Sequence, residues 1–172
     1  DEVPPFEQNM RALGIAWEEI DAVVITHSHP DHTGGLPAWR ANTIELGEIP
    51  AAAGGPAVYT PAPLAYPGSV AGAEPVLVGA DVATTGAMPY REVFPLSLRQ
   101  PRGVEQALLV NVAGKGLVLI SGCGHPGLEK MVARATSMYR LPLAGVVGGL
   151  HDGDADARAV EAFERAIRLA EA

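Results

Sequence analysis

Cysteine is nearly absent from this chain: one thiol, Cys123, in 172 residues. That excludes an internal disulfide framework and makes the cytoplasm the default compartment. Basic residues are scarce as well, with 12 Lys and Arg against 20 Asp and Glu and a net charge of −8. A nucleic-acid backbone or an anionic membrane is repelled on average by such a surface, though a local basic pocket for one phosphate is not. No apolar run approaches the roughly 20 residues that span a bilayer, and no signal-peptide pattern opens the chain. Internal repeats and low-complexity tracts are missing too. What remains is a length that fits one domain, 1–172, with 48% hydrophobic and 19% charged residues, an ordinary composition for a globular core.

Histidine is also rare, and its distribution organises the chain. Three of the five histidines fall in Thr26-His27-Ser28-His29-Pro30-Asp31-His32-Thr33-Gly34-Gly35, directly after the apolar run Ala22-Val23-Val24-Ile25. Imidazole nitrogens and carboxylate oxygens are the ligands of catalytic zinc and similar divalent ions. Residues two apart on an extended segment point the same way, so His27 and His29 can grip one ion together. Asp31 and His32 follow from the next turn and suit a second ion beside the first. The other two histidines repeat the pattern. Gly116–Ile120 leads to Cys123 and His125, and Ala144–Val147 leads through two glycines to His151. Continuous apolar runs suggest strands buried on both faces, and loops at the carboxyl ends of such strands are where α/β proteins build sites.

Local signals fill in the rest. Pro4 and Pro5 precede a short helix with Phe6, Met10 and Leu13 at helical spacing, stopped by Gly14. Trp17–Ile20 is a turn or brief helix before strand 22–26, and Leu36–Ala41 reads as a helix starting at the histidine cluster. Its N-terminus would turn partial positive charge toward anions. Residues 50–104 form a Pro/Gly-rich segment, holding nine of the fifteen prolines between Pro50 and Pro101. It is either a loop-rich meander or a lid for substrate recognition, with short strands at Ala57–Thr60, Val76–Gly79 and Val82–Thr85. Gln106–Val112 and Gly116–Ile120 read as a hairpin. A helix from Leu128 to about Arg140 puts Leu128, Met131, Val132, Ala135 and Met138 on one core-facing side. Ala144–Val147 is a final buried strand, and Asp154 can cap a last helix over 155–172 with Val160, Phe163 and Ile167 as its apolar stripe. Arg91, Arg99 and Arg102 border the Pro-rich segment, where they either clamp a phosphate or carboxylate or stand as ordinary exposed arginines. Tyr90 and Trp39 are candidate pocket residues. Asp152 and Asp154 read more simply as capping and solvation.

The motif His-x-His-x-Asp-His after a buried strand resembles the metal site of metallo-β-lactamase-fold hydrolases. With Ser121-Gly122-Cys123-Gly124-His125-Pro126-Gly127 and Gly148-Gly149-Leu150-His151 downstream, it is similar to the branch containing dihydropterin ribofuranosyl-aminobenzene phosphate synthases and their relatives. The resemblance runs from about residue 10 to residue 151. It implies an α/β fold of the metallo-β-lactamase-like αβ/βα sandwich type and a metal-dependent enzyme. It also implies a β-rich segment ahead of the first residue, including an Asp-Thr-Gly turn that nothing here matches. The chain begins at Asp1 rather than Met, so the family's N-terminal strands are either absent from this piece or supplied elsewhere.

By the same resemblance His27, His29 and His125 hold one metal, and Asp31, His32 and His151 the other. The two divalent ions are zinc first, with manganese or iron as alternatives. Relatives place a bridging aspartate where Cys123 stands, so Cys123 is either a thiolate ligand or a small buried hydrophobe. Three functions follow. The first is a binuclear hydrolase in which metal-bound hydroxide attacks an ester, phosphoester or lactone, with Asp31 as the catalytic orienter or base. The second is a pterin-linked synthase whose metals hold a phosphorylated substrate and which releases pyrophosphate. The third is a non-catalytic metal-binding scaffold. The expected partner is a small molecule, with Arg91 and Arg102 as substrate contacts and no nucleic acid or membrane; self-association stays open.

Overall fold

A computed structural model describes residues 3–47, 55–92, 102–150 and the helical positions 161, 164, 165 and 168. The chain divides into two compact units, Asp1–Gly72 and Ala73–Ala172. Among the described residues no helix is long and apolar enough to cross a membrane.

The first unit opens with helix α1, Val3–Leu13. The two prolines expected ahead of this helix lie within its first turn, where a missing N–H costs nothing. Gly14 ends it at φ +68°. A 3₁₀ turn at Trp17–Glu19 leads to β1, Ala22–Val24, shorter than the expected strand 22–26. Pairing continues one residue further, since Ile25 N–H donates to Tyr59 O at 2.9 Å. Two short helices follow, α2 at Pro30–Thr33 and α3 at Leu36–Arg40. Sequence reading identified only the second. The strands β2, Ala57–Thr60, and β3, Ser69–Ala71, complete a three-stranded parallel sheet in the order β1-β2-β3. Its core gathers Ile25, Ile44, Leu46 and Val58, with Trp17, Val23, Leu64 and Tyr66 packed against them.

The second unit holds β4 (Leu77–Gly79), β5 (Val82–Thr84), β6 (Met88–Arg91), β7 (Arg102–Glu105), β8 (Leu108–Val112), β9 (Gly116–Ser121), α4 (Leu128–Met138) and β10 (Leu143–Gly148). Its five-stranded sheet runs β10-β9-β8-β5-β4, while β6 and β7 form a separate antiparallel pair. The expected hairpin is β8–β9, antiparallel from Leu108↔Ile120 to Val112↔Gly116. After β9 the chain crosses through α4 and returns as β10 parallel to β9, the arrangement that places a loop at each strand's carboxyl end. Leu128, Met131, Val132 and Ala135, spaced at helical repeat, are buried. Met131 and Ala135 join Met88, Ala107, Leu109 and Leu119, with Met138 and Tyr139 packed alongside. Burying side chains such as Met131 and Val132 contributes about 1.5–3 kcal/mol each. The methionines are core residues, as their spacing predicts.

One expectation is corrected. The run Ala144–Val147 is not a strand buried on both faces: among the described residues β10 is an edge strand, and Val147 is 57% exposed. Apolar continuity alone does not separate a central strand from an edge one. Of the expected last helix, Glu161, Glu164, Arg165 and Arg168 are helical, and Arg165 Nε pairs with Glu129 of α4 at 2.8 Å. Asp154 and the stripe Val160, Phe163 and Ile167 lie outside the described residues.

Candidate functional site

Among the described residues, side chains of types that can ligate a metal lie in both units. In the first, β1 delivers the chain to Thr26, and the extended residues that follow set His27 and His29 side by side. Their ring centroids are 4.6 Å apart at an interplanar angle of 77°. His29 caps α2 in extended conformation with Pro30 at the first helical position, and the tight turn brings His32 back onto His27, with ring centroids 4.1 Å apart. His27 is fully buried, and its Nδ1 lies 3.1 Å from Thr26 Oγ1. The carboxylate of Asp31 is exposed, with Oδ2 3.4 Å from His32 Nε2. The four side chains read from the sequence as ligands on this turn therefore sit together. His27, with His29 on one side and His32 on the other, offers imidazole nitrogens of the kind that bind divalent ions, and the exposed Asp31 carboxylate lies next to His32.

α2 is held in register from both sides. Thr33 Oγ1 donates to His29 O at 3.0 Å, and Glu45 N–H donates to Thr33 O at 2.9 Å. Gly34 closes the turn in the left-handed region, φ +95°, and a Cβ there would stand 2.6 Å from Glu45 Cβ. Only glycine satisfies both the conformation and the space.

The second cluster lies in the loop after β9. Cys123 and His125 are both partly buried, and Cys123 is a free thiol. The loop winds around a residue the sequence reading did not single out. Glu105, at the end of β7 and 0% exposed, accepts the N–H groups of Cys123 and Gly124 on Oε1, each at 2.9 Å. Its Oε2 takes the His125 N–H at 2.9 Å and meets His125 Nδ1 at 2.8 Å. An acid set between Val104 and the apolar run after Gln106 is the signal that could have found it, because a buried carboxylate must be matched by donors.

Tyr90, a candidate pocket residue, stacks on His125 with centroids 4.6 Å apart and planes 16° from parallel. Burial, then the neighbouring Glu92, Glu105 and Cys123, push its hydroxyl well above the ordinary phenol value. Arg91 and Arg102 face each other across the β6–β7 pair, both exposed. Trp39 is partly buried in α3. His151, Arg99 and Asp152 lie outside the described residues.

The description "Metallo-beta-lactamase superfamily" matches residues 2–125, a stretch that contains both clusters. The chain belongs to the metallo-beta-lactamase superfamily. Its α/β fold is the fold of that superfamily. The crystal structure of a metal-dependent hydrolase of the beta-lactamase superfamily aligns with a TM-score of 0.56 over 93% of this chain and 69% of that one, at 18% identity. Among curated superfamily relatives is the 7,8-dihydropterin-6-methyl-4-(beta-D-ribofuranosyl)-aminobenzene-5'-phosphate synthase of Methanocaldococcus jannaschii. It is 24% identical over 200 residues, spanning 95% of this chain and 67% of that enzyme. Ribonuclease Z of Salinibacter ruber is 31% identical over 114 residues, 54% of this chain and 34% of that enzyme.

Proposed function

We propose that this superfamily member is a metal-dependent hydrolase of a small ester, phosphoester or lactone. The observation that carries the reading is the gathering of His27, His29 and His32 around one turn, two ring pairs within 4.6 Å, beside the exposed Asp31. In this reading His27, His29 and His125 hold one divalent ion, and Asp31, His32 and His151 hold a second, with Cys123 as a further thiolate donor. Zinc is the first choice, with manganese or iron as alternatives. When bound, such ions lower the pKa of water to about 7 and polarise the electrophilic oxygen of the substrate.

The chain's own groups do the rest. Asp31, whose Oδ2 lies 3.4 Å from His32 Nε2, orients the attacking water, and where the second ion is absent it takes the water's proton on a carboxylate oxygen. The buried His27 keeps solvent from the inner side of the cluster. Arg91 and Arg102, exposed and opposite each other, attract an anionic substrate group. The cytoplasm is the compartment we assign, on the strength of the single cysteine.

A panel of phosphodiesters and lactones, assayed after chelation and after readdition of zinc or manganese, tests the reading. Turnover that disappears on chelation and returns with metal is expected. Metal-loaded protein inert toward the whole panel would overturn it. A synthase reading is favoured by one observation, the relative that spans 95% of this chain and is named for making a phosphorylated product. Pyrophosphate release without net ester hydrolysis would select it.

A further inference from the structure

Glu105 has no part in the reaction outlined above, yet it is fully buried and its carboxylate meets four donors, all from residues 123–125. We propose that Glu105 is a positioning residue: it fixes the His125 ring as the tautomer with its proton on Nδ1 and so leaves the Nε2 lone pair for a divalent ion. The inference rests on the reading of His125 as a metal ligand.

Three of the four bonds go to backbone N–H groups, and these alone would make Glu105 a loop fastener. The fourth is different in kind. Three backbone N–H donors favour the ionised carboxylate, which only accepts, so the 2.8 Å contact between Oε2 and Nδ1 puts the ring proton on Nδ1. A neutral ring carrying that proton presents Nε2 as an acceptor, the form in which imidazole binds metal. The same Oε2 anchors the His125 backbone N–H at 2.9 Å, and Tyr90 covers one face of the ring at 4.6 Å, which restricts its rotation. Glu105 and Tyr90 reach His125 from the same β6–β7 pair: Tyr90 pairs with Gly103, which is two residues along β7 from Glu105 and therefore on the same face. Outer carboxylates that fix a ligating histidine in this way typically account for a factor of about 10–100 in metal affinity.

Glu105→Gln keeps two of the three fastening bonds while reversing the contact with the ring. There the amide oxygen can still accept from Cys123 and Gly124, while its NH₂ loses the His125 N–H, faces Nδ1 and favours the proton on Nε2 instead. The experiment is histidine nitrogen NMR on the metal-free full chain, with the His125 signals assigned by their loss in His125→Ala. It is joined by zinc competition against a chromogenic chelator for wild type and both variants. Expected are the Nδ1–H tautomer in wild type, the Nε2–H tautomer in Glu105→Gln, and zinc binding on the order of 10–100-fold weaker in that variant. An Nε2–H tautomer in wild type overturns the proposal, even if Glu105→Gln does not fold. Unchanged tautomer and zinc affinity in a folded Glu105→Gln overturn it too, while weaker binding in His125→Ala leaves the ligand reading standing. Unchanged zinc affinity in His125→Ala removes the ligand on which the inference rests.

Discussion

Tyr90 and Gly103 are paired across the β6–β7 strands, and a Cβ on Gly103 would collide with the phenol ring. The missing side chain at 103 is thus what lets Tyr90 lie flat on His125. Gly103→Ala is expected to cost about 1–3 kcal/mol by overpacking and to displace the ring from its stack. Urea denaturation measures the first effect. The same substitution in a Tyr90→Ala background should cost less, since the phenol is gone and only the flexible end of Glu92, with Oε1 2.7 Å from the Cβ position, has to move. Additive costs in that double-mutant cycle would show that the collision is relieved in some other way.

The environment of Tyr90 also predicts behaviour in alkali. Burial first, and then the acids around it, raise its folded-state pKa above the usual 10. The sign follows from linkage. Below about pH 10 both folded and unfolded chains keep the phenol proton, so this contribution is fully present; above it the unfolded chain releases the proton first, and stability falls with rising pH. Tyr90→Phe should flatten that fall. A wild type and a Tyr90→Phe variant with parallel stability curves from pH 9 to about 11 would contradict it.

The first site was legible because its ligands are nearly consecutive. His27, His29, Asp31 and His32 need only a strand end and one turn to meet, and the apolar run before them announces the strand. The strands β2, β5, β8 and β9 were legible from apolar runs bounded by turn residues. β6 was not: Met88-Pro89-Tyr90-Arg91 carries a proline, which argues against a strand. The structure tolerates Pro89 because, among the described residues, β6 pairs on one side only, in a two-stranded sheet. Glu105 was hidden for a different reason. Its donors lie 18 to 20 residues downstream, in a loop whose backbone N–H groups leave no trace in the sequence.

Removing single ligands should separate metal binding from folding. Asp31 is exposed, with 67% of its side chain open to solvent, so Asp31→Asn should change stability by no more than about 0.5 kcal/mol. Turnover should fall about 10²–10⁴-fold once a substrate is in hand, because an amide neither orients the water as a carboxylate does nor takes its proton. His29→Ala, at a partly buried position, should lower zinc content measured by elemental analysis while the far-ultraviolet circular dichroism is kept. Full zinc occupancy in His29→Ala would remove this histidine from the ligand set.

Gly34 offers the sharpest link between a backbone requirement and the site. It ends α2 at φ +95°, directly after the turn that bears Asp31 and His32, and its Cβ position is blocked by Glu45. Gly114, in the β8–β9 turn, is also left-handed, at φ +72°, but a Cβ there meets nothing within 4 Å. Gly114→Ala therefore adds only conformational strain, about 1–2 kcal/mol. Gly34→Ala adds a collision with Glu45, which itself holds Thr33 through the 2.9 Å bond to its carbonyl, so the total should reach about 2–5 kcal/mol. A shift of α2 that relieves the strain should move His32 off His27 and weaken zinc binding. Gly114→Ala should leave zinc affinity unchanged at equal or greater residual stability. Equal zinc affinity in both variants would mean that the turn geometry set by Gly34 is not what brings His32 to His27.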